Sequence, residues 1–188
     1  MFEILPNWHP MFVHFTVASF STACGLYVLA YLFSYFNVAS WKIVSEFEIV
    51  GRWSLWLAAF ITVGTVLAGL YAFNTVRHDE VAHITMKIHR KWALTSAAGI
   101  ILLAIWSGWH HYKSKKPAII FVTALLLVQC SLLMTAWLGG ELVYRYGLGV
   151  QSLPKTESEG HHHDMTNMPM NSSNMPSMEN HEQHPHTD

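Results

Sequence analysis

The chain has 188 residues, of which 52% are hydrophobic and only 12% are charged, whereas a soluble domain usually has about 25% charged residues. Its net charge of −1 combines residues 1–150, with ten Lys/Arg and six Asp/Glu, and residues 151–188, with one Lys and six Asp/Glu. The composition therefore argues against a soluble protein, and the charge gives no reason to expect a nucleic-acid partner.

Four stretches without Asp, Glu, Lys or Arg predict four membrane-spanning helices. They cover residues 11–36, 53–75, 92–109 and 118–140. A bilayer core of about 30 Å needs roughly 20 apolar residues in a helix, and a helix satisfies its own backbone hydrogen bonds in lipid. The predicted fold is therefore all-α, an integral-membrane four-helix bundle within residues 1–150 that contacts the lipid bilayer. We expect the first span to be retained, because no Lys or Arg precedes it and its apolar run is too long for a signal peptide.

The distribution of positive charge gives only a weak indication of orientation. An even number of spans places both termini on one side, here called side A. Each side carries five Lys/Arg outside the tail, so the positive-inside rule is tied. The first span has no positive residue before it, and a compact lysine cluster lies at residues 113–116 on the other side, side B. Both termini are therefore expected to be periplasmic.

Ionisable side chains at the ends of the predicted spans cluster on side A. Such groups are costly at membrane depth and are functional candidates by default. They are His9, His14, His83, His89, Glu141 and Arg145, and we expect them to converge at one end of the bundle. No two of these histidines have the i,i+3 or i,i+4 spacing that places two ligands on one helix face. A metal site would therefore have to be shared between helices.

Two of these histidines are candidates for axial haem ligands. His14 and His89 lie near the same interface, and paired imidazoles on facing helices are a usual way to hold haem in a bundle. A lipid-facing His14 would leave a costly polar group in the hydrocarbon, so we expect it to face inward, and the pair then predicts a haem b site. Glu141, Tyr144 and Arg145 would then hold the haem propionates or tune the iron.

The same residues have other interpretations. His9 and His83 could form a second, shallower pair. Interfacial histidines also serve as headgroup contacts and helix caps, and Glu141 and Arg145 are spaced to pair with each other. The sequence has no Ser/His/Asp array, P-loop or dinucleotide fingerprint, and it leaves open whether the chain is an enzyme.

Three segments of the bundle resemble a known family. Residues 137–150, WLGGELVYRYGLGV, look very like the C-terminal signature of the bacterial membrane proteins grouped as domain of unknown function 2231. Residues 9–15, HPMFVHF, resemble the first-span motif of that family, and His89-Arg90 is similar to its third-span entry. The resemblance covers about residues 5–150. It implies four spans in the bacterial cytoplasmic (inner) membrane and no particular activity. Tyr146 stands where a histidine is frequent in the family, which removes one possible ligand.

The C-terminal tail, residues 151–188, has a different composition. Residues 161–188 contain six histidines and five methionines among Asn, Ser, Pro and acidic residues, with too little apolar surface to offset the entropy of folding, so the tail is predicted to be disordered. Imidazole with thioether is a copper-like ligand set. The candidate ligands are His161, His162, His163, Met165, Met168, Met170, Met175, Met178, His181, His184 and His186. The alternative is a biased linker that binds metals weakly and incidentally.

The sequence thus supports three hypotheses. The first is a redox or sensor protein with haem b in the bundle and a redox protein as partner. The second is an accessory protein whose tail captures copper and passes it to the histidines on side A or to a neighbouring membrane transporter. The third is a structural membrane subunit.

Overall fold

The computed structural model of the chain describes residues 8–76, 80–112 and 119–150, and these form four α-helices. The helices are α1 (His9–Phe36), α2 (Trp41–Thr75), α3 (Glu80–Tyr112) and α4 (Ile119–Tyr144). All four are long and apolar enough to cross a membrane, and the described residues contain no strand. The predicted all-α membrane bundle is confirmed. The predicted disordered tail lies outside the described residues.

Two helices begin well before the stretches that lack charge. The connection predicted at residues 37–52 is helical from Trp41, and most of that predicted at 76–91 is helical from Glu80. The charged residues in these segments, such as Lys42 and Glu46, mark the edge of the hydrocarbon rather than the end of the helix, because Lys and Glu are good helix formers. The first connection is consequently a short turn, in which Asn37 adopts the left-handed conformation with φ 53°.

The four helices follow one another around the bundle in chain order. α1 packs against α2 and α4, and α3 packs against the same two helices, so α1 lies diagonally opposite α3. Each helix contributes a fully buried residue to the core: Phe20, Leu55, Ile100 and Leu125. Large apolar side chains such as Phe60 and Leu127 are instead exposed on the outer surface, where a membrane protein contacts lipid.

Candidate cofactor site

Two histidine rings lie close together at the side A end of the bundle. His9 is the first residue of α1, and His89 lies in the third turn of α3. Their ring centroids are 6.4 Å apart and the ring planes are nearly perpendicular, at 83°. Both residues are half-buried. Because α1 and α3 are diagonal neighbours, this contact crosses the centre of the bundle.

The ring of His9 is held by the backbone of α2. Its Nδ1 lies 3.0 Å from the carbonyl oxygen of Thr65, and a carbonyl only accepts, so Nδ1 carries the hydrogen and donates it. In the neutral ring the lone pair is then on Nε2. Gly69, one turn further along α2, leaves room for this contact, because a Cβ there would lie 2.8 Å from Cε1 of His9.

The ring of His89 is held by α4 in the same way. Its Nδ1 donates to the carbonyl oxygen of Thr135 at 3.1 Å, and a Cβ on Gly139 would lie 3.3 Å from its Cε1. Histidines that bind metals usually donate their other ring N–H to such a carbonyl or to a carboxylate, which fixes the tautomer and the ring orientation. Both imidazoles thus have the hydrogen-bond pattern of histidines that coordinate through Nε2.

His14 does not take part in this arrangement. Its side chain is exposed, and its Nδ1 donates to the carbonyl oxygen of Pro10 in its own helix at 2.6 Å. At 3.6 residues per turn, five residues rotate a side chain by about 140° around the helix axis. Since His9 faces the interior, His14 has to face outward. The expected inward orientation of His14 is therefore wrong, and the structure places His9 beside His89.

His83, the second predicted partner of His9, lies against α2. His83 lies beside Phe73, with ring centroids 5.9 Å apart, and the guanidinium of Arg90 stacks over the same phenyl ring at 4.4 Å. His83 is six residues before His89, so the two side chains point about 120° apart on α3. His83 thus belongs to a separate contact between α2 and α3.

The residues expected to hold propionates lie at the C-terminal end of α4. Arg145 and Glu141 form an ion pair with N–O distance 3.2 Å, and the side chain of Tyr144 is 92% exposed. Tyr146 accepts a hydrogen bond from Thr85 at 3.4 Å. These residues and the histidine pair share one end of the bundle, as topology predicted.

Sequence reasoning missed the residues that hold the two rings. The available signal was a pair of Thr-x3-Gly segments, residues 65–69 and 135–139, each near the end of a span. Taken alone, Gly139 indicates only a place where helices can approach closely. Among the described residues, no group of three or more His, Cys, Asp or Glu could hold a metal ion. The candidate copper ligands of the tail lie outside those residues.

Comparison with known proteins identifies the family of the chain but no individual relative. Residues 6–152 match the model of a family described as "Predicted membrane protein (DUF2231)". No curated protein and no solved structure matches the chain. The match extends over the whole bundle and agrees with the resemblance found in the span motifs.

Proposed function

The chain belongs to the DUF2231 family of predicted membrane proteins, and we propose that it binds one haem b between His9 and His89. The single observation that supports this is the pair of rings across the bundle axis, each oriented by a helix carbonyl. A metal 2.0–2.1 Å from each of two imidazole nitrogens separates the ring centroids by about 6 Å. The 6.4 Å between the two ring centroids is of this size.

The number of protein ligands favours haem over a bare ion. A structural zinc site usually takes four protein ligands, whereas the described residues supply two neighbouring imidazoles and no larger ligand group. Haem needs only axial ligands, because its porphyrin provides the other four nitrogens. When bound, haem supplies reversible one-electron chemistry. His9 and His89 would hold and orient it, and their partial burial would limit the access of water.

This proposal includes a location and a partner. We place the protein in the bacterial inner membrane with both termini periplasmic, so the histidine pair lies near the periplasmic face. A neighbouring membrane redox protein is the expected partner. Alkaline phosphatase fused after residue 150 should be active and a fluorescent protein fused there should be dark. The reverse result would invert the orientation.

The proposal is tested by purifying the protein from haem-replete cells. It should show a Soret band and about one haem per chain, and His89→Ala should abolish both. His111→Ala is the matched control, since His111 is exposed at the opposite end of the bundle and contacts Arg52. A colourless, iron-free wild-type protein would rule out the proposal and favour a structural subunit.

Copper handling by the tail is a second candidate, supported by the six histidines and five methionines among residues 161–188. A variant with Asn for each of these histidines and Leu for each of these methionines keeps the tail length and removes the soft donors. Cells with this variant, or with residues 151–188 deleted, should tolerate copper less well than the parent. Equal growth of all three strains across a copper series would reject this function.

A further inference from the structure

The support of the two histidines is duplicated within the chain. In α1 and α3 a histidine is followed seven residues later by a hydroxyl residue, and in α2 and α4 a threonine is followed four residues later by glycine. The corresponding residues are His9, Thr16, Thr65 and Gly69 in the first hairpin and His89, Ser96, Thr135 and Gly139 in the second. Positions in α3 are offset by 80 from α1, and positions in α4 by 70 from α2.

In the first hairpin the hydroxyl joins α1 to α2. Thr16 is buried, and its Oγ1 lies 2.7 Å from Oγ1 of Thr65. The Thr65 hydroxyl donates to the carbonyl oxygen of Ile61 at 3.0 Å, so Thr16 is the donor between the two hydroxyls. The threonine that receives this bond is the one whose carbonyl accepts from His9.

In the second hairpin the hydroxyl joins α3 to α4 in the same way. Ser96 is buried, and its Oγ lies 3.1 Å from Oγ1 of Thr135 and 2.8 Å from Oγ of Ser131. The Thr135 hydroxyl donates to the carbonyl oxygen of Ser131 at 2.9 Å, so Ser96 donates to Thr135. Again the threonine is the one whose carbonyl accepts from the histidine.

The core repeats with the same offsets. Phe20 in α1 and Ile100 in α3 are both fully buried, and so are Leu55 in α2 and Leu125 in α4. The contacts of α1 with α2 and α4 are mirrored by those of α3 with α4 and α2. Repeats that run in the same direction through a membrane are related by an axis along the membrane normal. With these offsets, His9 and His89 occupy corresponding positions of the two hairpins.

Resting on the proposed haem site, we infer that the bundle is a duplicated helical hairpin in which Thr16 and Ser96 are equivalent positioning residues. Each hydroxyl fixes how the two helices of its hairpin are aligned along their axes. The imidazole two turns away can then donate to the threonine carbonyl four residues before the glycine. A slip of one residue moves a helix by about 1.5 Å along its axis and breaks that contact. With haem bound, His9 and His89 would both hold it, and such a centre would be suited to electron transfer rather than to gas binding.

The test uses Thr16→Val and Ser96→Ala in the full chain, with Thr62→Val as matched control. Thr62 is also buried, but its hydroxyl bonds within α2, to the carbonyl of Ala58. Groups that hold a ligating histidine typically affect metal affinity 10- to 100-fold, so each test variant should lose haem about tenfold faster than wild type. Thr16→Ser and Ser96→Thr should restore retention. The reduced wild-type protein should not bind carbon monoxide, whereas both reduced test variants should bind it.

A second readout does not depend on haem. In ¹⁵N-histidine-labelled protein in bilayers, solid-state NMR should show His9 and His89 with the hydrogen on Nδ1. Thr16→Val should disturb the His9 signal and Ser96→Ala the His89 signal. Wild-type protein without haem but with these NMR changes would reject the haem site and retain the duplicated support. Test variants indistinguishable from Thr62→Val in both readouts would overturn the positioning role. Binding of carbon monoxide by wild type would overturn the electron-transfer assignment.

Discussion

At the scale of single residues, two glycines decide whether the imidazoles reach their carbonyls. A Cβ on Gly69 would lie 2.8 Å from Cε1 of His9, and one on Gly139 would lie 3.3 Å from Cε1 of His89. Gly69→Ala should therefore displace its histidine more and reduce haem content more than Gly139→Ala does. Gly25→Ala is the control, because nothing lies within 4 Å of its Cβ and alanine favours helix. Haem content equal in all three variants would contradict this role.

The ion pair between Glu141 and Arg145 is predicted to contribute little. The side chain of Arg145 is 67% exposed, and an i,i+4 pair on a helix surface contributes about 0.2–0.5 kcal/mol. Arg145→Gln should therefore change the free energy of unfolding in detergent by no more than about 0.5 kcal/mol. It also tests the expected contact with propionates: reduced haem content in this variant would support that contact, and unchanged content would remove it.

At the scale of helices, the rotation of α1 about its axis determines which of its two histidines faces inward, and the depth of each histidine in the membrane does not. His9 and His14 lie at the same end of the same helix, and the sequence paired His14 with His89 because both lie near the same interface. The facing of α1 is instead set by its buried stripe, which includes Thr16 and Phe20. His9 lies seven residues before Thr16 and shares this face, whereas His14 does not. The depth of a residue in the membrane follows from the topology. The direction of its side chain depends on which residues of the helix form the buried stripe.

A polar contact deeper in the membrane joins α1 to α4. The amide nitrogen of Gln129 donates to Oγ of Ser21 at 3.0 Å, and the Ser21 hydroxyl is 3.4 Å from Oε1 of the same amide. Gln129→Leu should lower the free energy of unfolding by about 0.6 kcal/mol, and at most about 1.7, as interhelical hydrogen bonds in membranes do. Unfolding in SDS measured by circular dichroism gives this value. Thr123→Val, exposed on the same helix, should be near neutral, and an equal effect in both variants would contradict the assignment.

At the scale of the whole molecule, the sequence was sufficient for the number of spans and for the end of the bundle where the histidines gather. Both follow from the length of apolar runs and from the even number of crossings. The partner of each histidine could not be obtained in this way, because Thr65 and Thr135 act through backbone carbonyls, which no residue type reveals. Comparison of the two halves at offsets of 80 and 70 would have found the matched histidines and the matched Thr-x3-Gly segments.

We propose that His9 and His89, and not His14, form the cofactor site. It is tested most directly by the absorption spectrum and haem content of His9→Ala and His14→Ala, purified in parallel from haem-replete cells. The two variants remove the same side chain from the same end of α1, so their effects on expression and folding are matched. We predict loss of the Soret band in His9→Ala and a spectrum like that of wild type in His14→Ala. Haem retained in His9→Ala and lost in His14→Ala would contradict the account.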